Sequence, residues 1–411
     1  MPQAGVLRSL RIFNYRVWAA GALVSNIGTW MQRTAQDWLV LTELTQHSAA
    51  SVGIVMALQF GPQFVLLPWT GYVADRFNQR KVMIATQSIM GLLALGLGLL
   101  TITGLVQLWH VYVFALLFGC AAAFDLPVRQ VFVTELVGDS DLHNAVALNS
   151  TSFNAARMIG PAVAGLLIAS VGTGWAFLIN GISYAAVIAS LFLLRVGELH
   201  PNPRAERKRG GLTEGIRYVW GRADLKAILV ILFLIGTFGM NFPIFISTMA
   251  VKIFNVDASG YGALSSFLAV GTVMGALLAA ARSQPQFSLL LIGAAGFGVG
   301  CSAAAFAPDY WFYAATLVAT GAAALTILNT SNSLMQLSTE PAIRGRVMAL
   351  RMSIALGGTP IGAPIVGWVA DTYGPRWAMG VGAAAGFAAA LVAVLVMRRD
   401  RSKSHRTGGA S

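Results

Sequence analysis

About twelve apolar segments, each near the length of a bilayer crossing, follow one another along the 411 residues. They run roughly over 16–41, 51–74, 82–104, 109–133, 142–170, 175–194, 227–251, 260–281, 287–306, 310–333, 347–370 and 377–397. A hydrocarbon core about 30 Å thick needs about 20 apolar residues in a helix. Lipid offers no partner to a bare peptide group, so each segment must satisfy its own backbone as a helix. The expected fold is therefore an all-α integral membrane protein with twelve transmembrane helices. Composition agrees, since 11% of residues are charged and 56% hydrophobic, against about 25% charged in soluble domains. Arg8, Arg11 and Arg16 precede the first segment without a small-residue cleavage site, so that segment reads as a span and not as a secretory signal.

A net charge of +12 raises nucleic acid as a partner, and the placement of the bases argues against it. Three lie before the first segment, three between the second and third, eight between Arg195 and Lys226, and five in the tail. With Arg129, Arg282, Arg344, Arg346 and Arg351, 24 of the 28 lysines and arginines fall on one side. That asymmetry follows the positive-inside rule and puts both termini in the cytoplasm. The expected partners are a lipid bilayer, a small-molecule substrate and protons, with no nucleic acid and with a monomer as the working unit. Cys120 and Cys301 both sit in apolar segments, the five histidines are scattered, and no phosphate-binding glycine loop occurs. Neither an enzyme site, nor a metal, nor a cofactor is expected.

The chain divides at a polar, basic stretch broken by proline and glycine, His200-Pro-Asn-Pro-Arg204 through Gly211. The boundaries expected are 1–196 and 223–398 for two six-helix bundles, 197–222 for a cytoplasmic linker and 399–411 for a cytoplasmic tail. An internal repeat supports the division: Gly165, Gly172, Trp175 and Ala176 recur as Gly367, Gly374, Trp377 and Ala378, always 202 residues on. Gly160 and Gly362 keep the same offset.

Charge inside a membrane segment is costly and marks a functional candidate. Arg33 and Asp37, four apart on the first segment, share a helical face and are able to pair. Arg157 falls near the middle of the fifth segment, where it must face a cavity or a partner: Asp37, Asp125 or an anionic substrate. Asp125 and Arg129 are again one turn apart. Gln59, Gln63, Asn154, Asn241 and Asn329, with Arg157, are the candidates for lining a substrate cavity, against a role in interhelical hydrogen bonding alone. Trp30, Phe60, Phe64, Phe238 and Phe242 could line an amphipathic pocket or face lipid. Pro161 removes a helix hydrogen bond beside Gly160 and Gly165, which suits a hinge. Asp371 and Arg376 read as a solvated outer loop.

The stretch Gly71-Tyr-Val-Ala-Asp75-Arg76-Phe-Asn-Gln-Arg80-Lys81 resembles the loop between the second and third helices of the major facilitator superfamily of secondary transporters. Asn78 stands where that family usually has glycine, as the residue next best able to adopt a left-handed turn. Gly28–Leu39, Phe124–Gln130, Ala147–Gly165 and Arg344–Met348 are similar to the branch of that superfamily containing drug and siderophore exporters. The resemblance covers essentially the whole chain. It implies two pseudo-symmetric bundles about a central cavity, with Gly71 allowing close helix approach. It also implies a charge relay of Asp75 and Arg129 that locks one state against the eleventh segment, with Arg76, Arg80, Lys81, Asp125 and Arg351 as further gating candidates. Gly160, Pro161 and Gly165 partly match a motif of antiporters, and Asp37 matches a protonatable position of proton-coupled exporters, with Arg33 beside it. The function expected is proton-coupled export of an amphipathic small molecule such as a drug, antibiotic or siderophore. Import or uniport on the same fold stays open, as does a non-transporting membrane sensor.

Overall fold

The computed structural model describes residues 7–200, 212–280, 286–340 and 343–407, and all regular structure among them is helical. Arg282, linker residues 201–211 and tail residues 408–411 lie outside the described residues, as does the side chain of Asp75. The helices are α1 Phe13–Trp38, α2 Ala49–Val65, α3 Leu67–Arg76, α4 Gln79–Ile102, α5 Leu108–Gly138, α6 Asp141–Val171 and α7 Thr173–Leu193. After the linker come α8 Leu212–Gly221, α9 Ala223–Ile253, α10 Ala258–Ala280, α11 Phe287–Ala305, α12 Tyr310–Ser338, α13 Arg344–Thr372 and α14 Pro375–Thr407.

Among the described residues, ten of these are long and apolar enough to cross a membrane. Two expected spans fall outside that ten for physical reasons. α1 has 26 residues but carries Asn14, Asn26, Gln32, Gln36, Arg33 and Asp37, which lower its mean hydropathy. The second span is interrupted at Leu66: Pro68, in the first turn of α3, has no amide to continue the helix from α2. α8 lies within the stretch expected to be plain linker, and Arg346 pairs there with Glu214.

Contacts divide the chain into two compact units. The first holds Met1–His47, Leu58–Arg207 and Val256–Ser266. Its core gathers Tyr15, Trp18, Met83, Phe132 and Leu191, and the Tyr15 hydroxyl donates to the Ala145 carbonyl at 2.8 Å. A β-carbon at Gly160 would meet Trp30 Cβ at 2.6 Å and the Ile27 carbonyl at 3.0 Å, so α6 lies directly on the backbone of α1. Gly165 meets Ala258 and Ser259 of α10 in the same way. Glycine stripes of this kind let helices approach where no hydrophobic force between them exists.

The second unit holds Ser48–Ala57, Lys208–Asn255 and Phe267–Ser411. Gly53 lies against the Ala363 carbonyl and Gly367 against that of Ala49, so the start of α2 is seated on α13. Gly172 and Gly374, 202 residues apart, take φ of +92° and +101°. The same left-handed turn thus ends α6 and α13, and only glycine adopts it without strain.

Two local expectations change. A β-carbon at Gly71 would meet nothing within 4 Å among the described residues, so the close approach expected of it is not seen there. Asn78 is extended (φ −68°, ψ 117°) and caps α4, its side chain accepting from the Lys81 amide. An Asn is among the best residues for that post, so a left-handed turn is not what it supplies.

Candidate functional site

α1 and the start of α10 build the first part of the site. Asp37 is buried, and the hydroxyl of Tyr261, itself 2% exposed, donates to its Oδ2 at 3.2 Å. Trp38 stacks on the Tyr261 ring, centroids 6.0 Å apart and planes at 21°, which fixes the phenol over the carboxylate. Tyr261 is held from below by the turn that opens α10: Asp257 accepts from the Ser259 hydroxyl and the Gly260 amide, and its carbonyl accepts from the Tyr261 amide. Those bonds, the Ser259 hydroxyl first, hold the exposed Asp257 carboxyl below the usual carboxylate range. A neutral donor facing a buried carboxylate leaves that carboxylate free to take up and release a proton without an ion pair being broken.

The expected Arg33–Asp37 ion pair does not form. No nitrogen of Arg33 lies within 4 Å of a carboxylate among the described residues, and its Nε has no hydrogen-bond partner. The guanidinium instead lies over two aromatic faces, 5.0 Å from the Trp30 ring centroid and 5.3 Å from that of Phe60. Arg157 approaches the same indole at 5.3 Å. Trp30 is braced edge-on by Phe153 at 5.6 Å. Helical spacing put Arg33 and Asp37 on one face, but Tyr261, 224 residues away in sequence, and two rings took the partners.

Asp125 and Arg129 form the second cluster. They pair at 3.0 Å along α5, and Asp125 also accepts from Thr86 and Gln87 of α4, both at 2.8 Å. Arg129 reaches Asn26 of α1 at 3.1 Å. Three helices are tied at one point, which suits a gating role, while the partner expected for Arg129, Asp75, has its side chain outside the described residues. Arg351 is buried and donates to the Leu328 carbonyl at 2.8 Å and to Ser331, joining α13 to α12. Arg80 donates to the Leu191 carbonyl at 2.7 Å, Arg76 lies over Tyr72, and the Lys81 side chain is exposed. Arg80 and Arg76 thus have separate contacts among the described residues. α6 runs through Pro161 without a break among its helical residues, and the Pro161 carbonyl faces Gly262.

The uncharged candidates differ in burial and in partners. Gln59 is buried, Gln63 and Asn329 are half-buried, and Phe64 is 56% exposed. Asn154 spends its amide on the Ser150 carbonyl one turn back. Asn241 is fully buried, donates to the Thr237 carbonyl at 2.8 Å, and leaves its Oδ1 without a partner among the described residues.

The sequence reading missed two features. Gln32 accepts from Asn180, which binds α1 to α7. Asp371, expected in a solvated loop, caps the start of α2: it accepts from the Ala49 amide at 2.8 Å, the Ala50 amide at 2.9 Å and the Ser48 hydroxyl at 3.1 Å, and pairs with Lys252 at 3.1 Å. The close glycines Gly53 and Gly367 were the only sequence signal that these helices meet.

Comparison with known proteins gives concordant results. The family model described as transmembrane secretion effector matches residues 5–407. The chain is 26% identical over 367 residues to the multidrug efflux pump Tap of Mycolicibacterium fortuitum, covering 86% of this chain and 88% of that one. It is 24% identical over 362 residues to the enterobactin exporter EntS of Shigella flexneri, covering 87% and 85%. Among solved structures, a bacterial homolog of the human lysosomal transporter Spinster superposes with a TM-score of 0.71 at 16% identity, over 94% of this chain and 97% of that one. That likeness concerns the fold alone.

Proposed function

The chain belongs to the transmembrane secretion effector family of major facilitator transporters, and from that premise we propose that it exports an amphipathic small molecule in exchange for protons. As a multi-pass membrane transporter with efflux pumps and siderophore exporters among its relatives, it is not an enzyme. The observation that carries the proton-coupled reading is the buried Asp37 carboxylate, bonded by the neutral Tyr261 hydroxyl and with no cation within ion-pair distance among the described residues. A carboxylate so placed changes charge without first breaking a salt bridge. Its protonation removes a formal charge from α1 beside the contact that α1 makes with α10. Linkage requires that proton and substrate influence one another equally if they share this element. The cell membrane of a bacterium is the proposed location, with twelve crossings and both termini inside.

The test is proton movement in everted vesicles. A pH-sensitive dye reports an imposed gradient while lipophilic drugs and catecholate siderophores are added singly. Gradient collapse with one compound, lost in Asp37→Asn, supports antiport. Collapse that persists in Asp37→Asn removes Asp37 from the mechanism, and export without proton movement removes coupling altogether.

A further inference from the structure

Two guanidiniums converge on one indole without a carboxylate to answer them. Arg33 approaches Trp30 at 5.0 Å from α1, and Arg157 approaches it at 5.3 Å from α6. Neither makes an ion pair among the described residues, and Arg33 Nε is buried without an acceptor. The acid nearest in sequence, Asp37, is engaged by Tyr261. Cation–π contact returns less for each arginine than placing an unpaired guanidinium in a membrane segment costs. The rings alone therefore do not offset two such charges, and like charges beside one indole add repulsion.

We infer that Arg33, Arg157 and Trp30 form a subsite for the anionic head of an aromatic substrate. This inference rests on the export reading and names the substrate class for it. A carboxylate between two planar guanidiniums accepts paired N–H donors, a geometry for which arginine is suited and lysine is not. An adjoining aromatic ring packs with Trp30, whose indole already meets Phe153 edge-on while Phe60 lies under Arg33. Gly160 sets the spacing, because it lets α6 approach the backbone of α1 at Trp30 itself. A cationic substrate would add a third positive charge to the same pocket and is disfavoured.

The experiment is equilibrium binding to the purified full-length protein in lipid nanodiscs, with no gradient, using 2-naphthoate and its cationic counterpart 2-naphthylmethylammonium. We expect saturable binding of the naphthoate, with the ammonium at least about tenfold weaker. Loss of one guanidinium from a buried charge pair weakens such complexes about thirtyfold or more, so Arg157→Gln and Arg33→Gln should each do so. Arg157→Lys should recover only part. Should the variants fail to fold, protection supplies the answer in the wild-type chain: bound naphthoate should shield Arg157 from phenylglyoxal, read by peptide mass spectrometry. Equal or tighter binding of the ammonium, unchanged affinity in both glutamine variants, or no saturable naphthoate binding up to about 1 mM, roughly −4 kcal/mol, would each overturn the subsite. The measurement needs no proton movement. Import or uniport would therefore leave it intact, whereas loss of coupling in Asp37→Asn with binding retained would separate the two claims.

Discussion

At the residue level, three of the charges in membrane helices find neutral aromatic partners. Asp37 has a phenol, Arg33 has two rings, and Arg157 shares one of them. Tyr261 is the residue whose removal should be most informative. Tyr261→Phe keeps the ring on Trp38 and deletes only the hydroxyl, and a hydrogen bond to a charged group contributes about 1.5–3 kcal/mol. Substrate-driven proton flux should fall about tenfold or more, while the purified protein elutes unchanged from a sizing column. Flux equal to wild type would show that the hydroxyl is a spectator. The three charges were legible in the sequence because charge stands out in apolar surroundings. Their partners were not, since a spacing of four fixes a shared face and leaves open which ring or hydroxyl arrives from another helix. Asp371 was unreadable for the opposite reason: at the end of an apolar segment a carboxylate looks solvated, and only the arrival of the start of α2 makes it a cap.

At the level of the element, caps and glycines decide where helices begin and how near they lie. Asp371 satisfies two amides that α2 leaves open at its start. Removing such a cap costs about 1 kcal/mol, while the partly exposed Lys252 pair adds little. Asp371→Ala should therefore speed hydrogen exchange of the amides near residues 49–52 by about fivefold, and unchanged exchange there would refute the cap. Asp257 does the same for α10, with a carboxyl held below its ordinary value. Its stabilisation is present above the unfolded carboxylate value and is lost only as pH falls through the depressed folded one. The contact that positions Tyr261 should thus survive mild acid, and Asp257→Ala should lower coupled flux at all pH values from 5 to 8 alike. Gly160 has no room to spare: a β-carbon 2.6 Å from Trp30 Cβ forces α6 away from α1. Overpacking of this kind costs about 1–3 kcal/mol, so Gly160→Val should lower both thermal stability and naphthoate affinity. Wild-type affinity in that variant would mean that α6 spacing does not set the subsite.

For the whole molecule, the apolar rhythm of the sequence carried the all-helical membrane fold. Ten spans are plain among the described residues, and the two further expected ones, α1 and the interrupted α2–α3, are less apolar or broken by proline. The 202-residue repeat was visible in sequence and recurs physically in the paired turns at Gly172 and Gly374. The proposed twelve crossings with both ends inside require that a fluorescent protein fused after Ser411 shines and a periplasmic phosphatase fused there stays inactive; active phosphatase would put that end outside and contradict the topology. The central claim, that a proton moves against substrate through Asp37, is tested most directly in sealed proteoliposomes containing the purified chain and an internal pH dye. With no gradient imposed, sudden addition of a transported compound outside should change the internal pH in the wild type and leave it unchanged in Asp37→Asn, with Tyr261→Phe between them. An equal pH change in wild type and Asp37→Asn, or substrate uptake with no pH change in the wild type, would contradict the account.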